Sequence, residues 1–168
     1  RLEEIKAADV IVAGAMSPAG TQKLWEPVAE SELDLFVVRG STVSADHVSS
    51  QAEPLNLKQF VHQVDIPVIV GGVATYTGAL HLMRTGAAGV LVGFGGGAAS
   101  TTRRTMGIHV PMATAVADVA AARRDFLDES GGRYVHVIAD GGIGFAGDVV
   151  KAIACGADAV MLGSALAR

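Results

Sequence analysis

Thr85-Gly-Ala-Ala-Gly-Val-Leu-Val-Gly93 has a near-copy later in the chain, Cys155-Gly-Ala-Asp-Ala-Val-Met-Leu-Gly163. The two stretches begin 70 residues apart and match at glycine, alanine and valine positions. Each has the pattern of a helix end, a tight glycine turn and a buried strand. A unit that recurs in this way predicts a (β/α) barrel, although a doubly wound parallel sheet has the same local pattern.

Four further apolar runs rich in β-branched residues accompany these two strands. The runs are continuous rather than alternating, which is typical of parallel strands that are buried on both faces. Segments with helical spacing lie between the later runs, and each of them is followed by glycine. This alternation predicts a parallel sheet covered by helices. The four runs are 10–15, 35–38, 68–70 and 135–139, and the predicted helices are 77–84, 111–129 and 148–154.

Composition places the chain among ordinary globular proteins. Its 168 residues are 50% hydrophobic and 18% charged, with a net charge of −4, and these values exclude intrinsic disorder. The mild acidity, without a cluster of Lys and Arg, argues against a nucleic-acid or anionic-membrane partner. The single cysteine excludes a disulfide framework, and no apolar run is long enough to span a membrane. We expect a cytoplasmic protein with one domain over residues 1–168.

Six strands fall short of a complete (β/α)8 barrel, which typically takes about 250 residues. The chain also ends soon after its last predicted strand. We therefore expect an α/β fold in which the chain is the C-terminal portion of a (β/α)8 TIM barrel. In such barrels the loops that follow the strands carry the chemistry.

The first of three glycine-rich loops covers residues 93–103. Its glycines leave the backbone open to a ligand, while its Ser and Thr residues and Arg103 add hydroxyl groups and a charge. It lacks the lysine of a Walker A loop, and Ala98 replaces the third glycine of a dinucleotide-binding fingerprint. Taken alone, it is equally typical of a flexible surface loop.

The other two loops point to a phosphate. Asp140 directly follows a strand and precedes Gly141 and Gly142, so its carboxylate is suited to sugar hydroxyls beside backbone N–H groups. The alternative for Asp140 is a turn-capping role. Gly163 and Ser164 follow the last strand, where barrels commonly bind phosphate. The three loops together predict a bound phosphate at the carboxyl end of the sheet.

These motifs in combination resemble the IMP dehydrogenase/GMP reductase family, and most closely its actinobacterial IMP dehydrogenase-related branch. The resemblance is close over residues 60–168 and loose over 1–59. The stretches that show this resemblance are Val137-Ile-Ala-Asp-Gly-Gly-Ile143, Gly147-Asp148, Gly156-Ala-Asp-Ala-Val-Met-Leu-Gly-Ser164 and Gly107-Ile-His-Val-Pro-Met-Ala-Thr-Ala-Val116. It implies a (β/α)8 barrel that forms homotetramers and acts as an oxidoreductase in purine (guanine) nucleotide metabolism. The implied ligands are a purine nucleoside monophosphate, NAD or NADP, and potassium in members that bind a monovalent cation.

The resemblance also assigns roles by position. Asp140 would hold the ribose hydroxyls, and the nucleotide would further contact Gly141, Gly142, Gly163 and Ser164. The catalytic-cysteine loop of the family corresponds to residues 93–103, in which Ser100 takes the cysteine position and Thr102 is a second catalytic candidate. Cofactor contacts would come from Gly71, Gly72 and Gly93, and carbonyl ligands for the cation from Gly95, Gly97 and Ser100.

Four positions depart from the family pattern. Ser100 replaces the cysteine that attacks the purine, and a hydroxyl is a poor nucleophile unless a base activates it. Ala98 replaces a phosphate-binding serine, Arg39 a cofactor-facing aspartate, and Val73 an asparagine. These departures keep a second hypothesis open, namely a non-catalytic purine-nucleotide-binding paralogue. A third, another phosphate-binding barrel enzyme such as an isomerase or aldolase, lacks an evident catalytic lysine or glutamate pair.

Overall fold

The computed structural model describes residues 2–30, 32–40, 43–45 and 53–167. Its strands form a sheet of six parallel strands, with helices in the connections. The strands are β1 (Ala13–Met16), β2 (Leu35–Arg39), β3 (Val68–Val73), β4 (Gly89–Val92), β5 (His136–Asp140) and β6 (Ala159–Met161). The helices are α1 (Leu2–Lys6), α2 (Pro18–Glu30), α3 (Leu57–Gln63), α4 (Tyr76–Arg84), α5 (Thr102–Met106), α6 (Met112–Glu129) and α7 (Ala146–Ala154).

The order of the strands decides between the two predicted architectures. Neighbours in the sheet are also neighbours in the chain, from β1 to β6, and every pair is parallel. Each connection therefore advances by one strand in the same direction. A doubly wound sheet reverses direction at a switch point, and the described strands contain no reversal. The winding is that of a (β/α) barrel.

A long-range ion pair shows that the sheet is curled. Arg39 ends β2 and Asp140 ends β5, and these strands lie three strand spacings apart, which is about 14 Å in a flat sheet. Yet Nη2 of Arg39 lies 2.8 Å from Oδ2 of Asp140. The two side chains span part of this distance, and curvature of the sheet, as in the wall of a barrel, brings the ends of β2 and β5 near enough for the contact.

Much of the buried core lies between the sheet and helices α4 and α6. Val90 of β4 is fully buried, as are Val116 and Val119 of α6. Leu82 and Met83 of α4 close the same core and are also fully buried. Apolar residues three and four positions apart place one face of each helix on the sheet, so burial of this face selects the helical pattern. Among the described residues, no helix is both long and apolar enough to cross a membrane.

The first strand begins later than its apolar run predicts. The run 10–15 contains Ile11, which is exposed, while β1 covers Ala13–Met16. The N–H of Val12 donates to a carboxylate oxygen of Asp34 at 2.8 Å, and its carbonyl accepts from the N–H of Asp34 at 3.0 Å. Because these bonds go to the loop before β2, pairing between the strands starts only after Val12.

The other predicted strands and helices begin and end within three residues of their expected bounds. Four helices, α1, α2, α3 and α5, have no counterpart in the predicted pattern, and two of them, α1 and α5, have only 5 residues each. Helix α2 contains Pro27 and a kink at Leu24, where φ is −127° and ψ is 20°, so its apolar residues do not follow one regular helical spacing. Helix α3 has only 7 residues, which is too short for a distinctive period.

Asp158 ties the start of β6 to its neighbours. One oxygen of its carboxylate accepts from the N–H of Val137 at 2.7 Å and from Arg123 at 2.5 Å, and the other accepts from the Tyr134 hydroxyl. Partial burial opposes ionisation of Asp158, but the hydrogen bonds from Tyr134 and Val137 and the charge of Arg123 outweigh it. The net result is that the pKa of Asp158 lies below its usual value.

Replacing Asp158 with asparagine is expected to destabilise the full-length protein by about 2 kcal/mol at neutral pH, because a charge-assisted network is lost. The pKa of Asp158 is lower in the folded state than in the unfolded state. Its contribution is therefore complete above the unfolded pKa of about 3.9 and disappears as the pH falls through the folded value. Thermal unfolding from pH 7 to pH 3 measures this contribution. The melting temperature of Asp158→Asn should fall less steeply with acid than that of the wild type. Asp118→Asn, on the exposed face of α6, is the control, and an acid dependence of Asp158→Asn identical to the wild type would contradict the assignment.

Gly156 and Gly147 provide a matched pair of glycine tests. Gly156 has φ of +111°, and a Cβ there would lie 2.6 Å from Cβ of Ala120, whereas a Cβ at Gly147 meets no atom within 4 Å. Gly156→Ala should therefore cost about 2 kcal/mol through strain and overpacking. Gly147→Ala should be neutral or stabilise α7 by up to about 1 kcal/mol. Denaturant unfolding of the full-length variants distinguishes the two, and equal effects would refute this packing argument.

Candidate functional site

A cavity of about 780 Å³ opens at the carboxyl ends of the strands. The three glycine-rich loops all contribute to its wall, which confirms that they meet at one edge of the sheet. Gly71 is the one predicted site residue that does not line it. The predicted residues in the wall are Gly72, Gly93, Gly95, Gly97, Ser100, Thr102, Asp140, Gly141, Gly142, Gly163 and Ser164.

The first two loops touch through their backbones. A Cβ on Gly93 would lie 2.4 Å from the carbonyl oxygen of Asp140, and one on Gly141 would lie 3.0 Å from Cα of Gly96. Both Gly93 and Gly141 also have positive φ, at +134° and +118°. These glycines are therefore required by close approach and by conformation. Their contact fixes the first loop against the end of β5, and so sets the shape of the cavity floor.

Asp140 and Arg39 are the only charged residues in the wall of this cavity within the described part of the chain. They are paired with each other at 2.8 Å, and the side chain of Asp140 is only 15% exposed while that of Arg39 is 57% exposed. The pair leaves Oδ1 of Asp140 and most of the guanidinium N–H groups for a ligand. Both positions stand out in the sequence but their contact does not, because nothing local connects residues 101 positions apart.

Ser100 and Thr102 lie together on the wall. Oγ of Ser100 is 3.4 Å from Oγ1 of Thr102, and the N–H of Thr102 points to the same serine oxygen at 3.4 Å. Among the described residues, neither a histidine nor a carboxylate forms a hydrogen bond with Ser100. His109 instead contacts the carbonyl of Phe94 at 3.4 Å. The site therefore presents two adjacent hydroxyl groups without a base to activate them.

The proposed cofactor glycines differ in their surroundings. A Cβ on Gly71 would lie 2.5 Å from both the carbonyl oxygen and Cβ of Leu91, so strand packing alone requires glycine there. The backbone of Gly71 and Gly72 pairs with that of Gly40, at 2.8 Å and 3.1 Å. Gly72 and Gly93 reach the cavity. A contact between these glycines and a nicotinamide cofactor stays a prediction. Gly71 does not line the cavity, so its part in such a contact is limited to the close strand packing that it allows.

The predicted cation ligands form a tight turn. The carbonyl of Gly97 accepts the N–H of Ser100 at 3.0 Å, which leaves it one further lone pair. Gly95 has φ of +56° and packs against Thr102. The described residues include no group of three or more His, Cys, Asp and Glu side chains suited to a metal. Potassium coordination by the carbonyls of this turn uses a different donor set and stays a prediction.

The exit of the second loop is fixed by Asp148 of α7. One oxygen of its carboxylate accepts the N–H groups of Gly144 and Phe145, each at 3.1 Å, and Lys151 lies 2.9 Å from the other oxygen. The hydrogen bond from Lys151 and those from the two N–H groups hold the pKa of Asp148 below its usual value. This contact orients the backbone that leads from Gly142 into the helix. The sequence signal for it is an aspartate in the first turn of α7, where such a side chain binds free N–H groups.

Comparison with known proteins identifies relatives over nearly the whole chain. Residues 3–168 match the model of the IMP dehydrogenase / GMP reductase domain. An uncharacterized oxidoreductase of Mycobacterium tuberculosis (strain H37Rv) is 57% identical over 165 residues, which are 98% of this chain and 44% of that protein. The inosine-5'-monophosphate dehydrogenase of Thermoplasma acidophilum is 40% identical over 158 residues, 94% of this chain and 30% of that enzyme.

A solved structure has the same fold as this chain over nearly its whole length. The crystal structure of an IMP dehydrogenase/GMP reductase-like protein from Corynebacterium glutamicum matches with a TM-score of 0.90 and 53% sequence identity. The match covers 99% of this chain and 43% of that chain. This chain thus spans less than half the length of these relatives, and its six strands form part of a (β/α)8 barrel. The chain belongs to the IMP dehydrogenase/GMP reductase family.

Proposed function

We propose that the protein binds a purine ribonucleoside monophosphate in the 780 Å³ cavity and is a nicotinamide-linked oxidoreductase of purine (guanine) nucleotide metabolism. The observation that carries this proposal is the convergence of Asp140 and three glycine-rich loops on one cavity. Family membership supports the same substrate class. The proposal extends to a cytoplasmic homotetramer, with no nucleic-acid or membrane partner.

The sugar is assigned to Asp140. Arg39 holds one oxygen of this carboxylate, so the other oxygen has a fixed direction in which to accept ribose hydroxyls. A carboxylate oxygen has two lone pairs, so Oδ1 of Asp140 can accept hydrogen bonds from two hydroxyl groups. This arrangement selects a ligand with vicinal hydroxyl groups.

The phosphate is assigned to the backbone of Gly142 and Gly163 and to Ser164. Gly163 has no atom within 4 Å of the place where a Cβ would stand, so its backbone is open to a ligand. Gly142 has φ of +72° and joins the loop that Asp148 orients. Because Ala98 has no hydroxyl group, Ser164 is the residue of the assigned phosphate site whose side chain can donate a hydrogen bond. Backbone N–H groups in glycine turns bind phosphate without a cationic side chain.

The reaction depends on what Ser100 can do. A nicotinamide cofactor, when bound, supplies or accepts the hydride. Ser100 and Thr102 contribute hydroxyl groups to the wall of the same cavity, but neither has a base within hydrogen-bond distance among the described residues. A covalent purine intermediate needs a good nucleophile that is also a good leaving group, and an alkoxide is neither accessible nor a good leaving group near neutral pH. This favours a second candidate, a non-catalytic purine-nucleotide-binding protein.

Asp140→Asn tests the nucleotide site. We expect this variant of the full-length protein to bind GMP or IMP about tenfold more weakly, because a charged acceptor for two hydroxyl groups becomes a neutral one. The wild type should prefer GMP to 2'-deoxy-GMP, and the variant should lose most of that preference. Isothermal titration calorimetry measures both, with Asp118→Asn as the control. Retention of the full preference for GMP over 2'-deoxy-GMP in Asp140→Asn would contradict the assignment of this carboxylate to the ribose hydroxyl groups.

Ser100 variants separate the two candidate functions. Production of reduced nicotinamide with IMP is expected to be slow in the wild type and absent in Ser100→Ala. Ser100→Cys should recover weak activity at most, because Ala98, Arg39 and Val73 still depart from the family pattern. Absence of turnover in all three proteins, with unchanged nucleotide affinity, supports the binding-only candidate. Rapid turnover by Ser100→Ala would contradict any role for this hydroxyl.

A further inference from the structure

A second cavity, of about 500 Å³, lies against the glycine-rich loop on the side of α5. It shares residues 95–100 and the backbone of Gly141 and Gly142 with the first cavity. Its remaining wall comes from Arg103 and Arg104 of α5 and from the segment that leads into α6. Asp140, Gly163 and Ser164 do not line it. The glycine-rich loop is thus a common wall between two different chemical environments.

The charge around this second cavity has one sign. No aspartate or glutamate lines it within the described residues, whereas Arg103 and Arg104 both do. Three other arginines of the chain, Arg39, Arg84 and Arg123, each bind a carboxylate at 2.8 Å or less. Arg103 and Arg104 bind none among the described residues. Two guanidinium groups in one cavity wall, with no carboxylate among the described lining residues, give this wall a positive charge that favours an anionic ligand.

The main chain at Gly97 is accessible from the same cavity. Its φ lies outside the left-handed range, and a Cβ there would meet no atom within 4 Å. Neither conformation nor packing therefore requires glycine at this position, in contrast to Gly93 and Gly141. The glycine leaves the main chain accessible to a ligand where the loop borders the cavity.

We propose that the second cavity binds a phosphorylated small molecule through Arg103 and Arg104, beside the bare backbone of Gly97. Planar guanidinium groups match the oxygens of a phosphoryl group in pairs, which favours phosphate over a spherical anion such as chloride. A volume of about 500 Å³ accommodates a molecule of the size of a sugar phosphate or nucleotide. The two assigned sites share the backbone of Gly142, but Arg103 and Arg104 line only the second cavity, whereas Gly163 and Ser164 line only the first.

Pyrophosphate is the probe for this site. It is titrated calorimetrically into the full-length protein at constant ionic strength, with chloride as the competing anion. Arg103→Gln/Arg104→Gln should weaken pyrophosphate binding by about tenfold or more, because two charge-assisted contacts are lost. The matched control is Arg124→Gln, an exposed arginine of α6 outside both cavities, which should change the affinity by less than about twofold. Equal melting temperatures of the proteins establish that the variants are folded.

Nucleotide titrations distinguish this inference from the proposed function. Arg103→Gln/Arg104→Gln should bind GMP as the wild type does, and Asp140→Asn should bind pyrophosphate as the wild type does. Pyrophosphate should also bind when GMP is saturating. Absence of pyrophosphate binding to the wild type, undiminished binding to the double arginine variant, or complete displacement of pyrophosphate by GMP would each overturn the second site. None of these results affects the test of Asp140 with ribose and deoxyribose nucleotides.

Discussion

The site depends on a contact between two backbones that side chains would prevent. A Cβ on Gly93 of the first loop would lie 2.4 Å from the carbonyl oxygen of Asp140 in the second, which excludes it, and a Cβ on Gly96 or Gly141 would crowd the facing backbone at 3.3 or 3.0 Å. Both loops leave the sheet at the ends of neighbouring strands, β4 and β5, and glycine allows them to continue in contact. A larger residue at either position would force the loops apart, and with them the cavities on the two sides.

The two cavities, one on each side of this backbone contact, differ in the charge of their walls. The first cavity has a single ion pair, and the pairing of Arg39 with Asp140 cancels its side-chain charge. Recognition there has to come from hydrogen-bond geometry, namely one carboxylate oxygen, backbone N–H groups and hydroxyls. The second cavity has two unpartnered cations among the described residues and no acid in its wall. Charge, rather than geometry, dominates the selection of a ligand on that side.

The sequence predicted the fold well because the information is local. Continuous apolar runs followed by glycine identified five strands closely, and burial on both faces explains why the pattern is so clear. The first strand was displaced because Val12 bonds to Asp34, a contact with a loop that no apolar run reveals. Helix α2 escaped prediction because a kink at Leu24 breaks its period.

The site was predictable in its position but not in its contacts. Glycines and Asp140 after strands indicated which edge of the sheet carries the chemistry, since parallel strands all end at the same side. The ion pair of Asp140 with Arg39 depends on the curl of the sheet across three strand spacings, which only the assembled fold defines. The sequence also did not show that Arg103 and Arg104 lack a carboxylate partner among the described residues, because this depends on which side chains surround them in the fold.

A wall that serves two cavities creates a thermodynamic link between their ligands. The loop of residues 95–100 borders both, so a ligand on one side that shifts or stiffens it changes the free energy of binding on the other side. Linkage requires this influence to be reciprocal, with the same factor acting in both directions. A loop without bulky side chains is well suited to such transmission, because its backbone is itself the surface that each ligand touches. The glycines that permit the loops to pack together thus also make the occupancy of one cavity a variable in the affinity of the other.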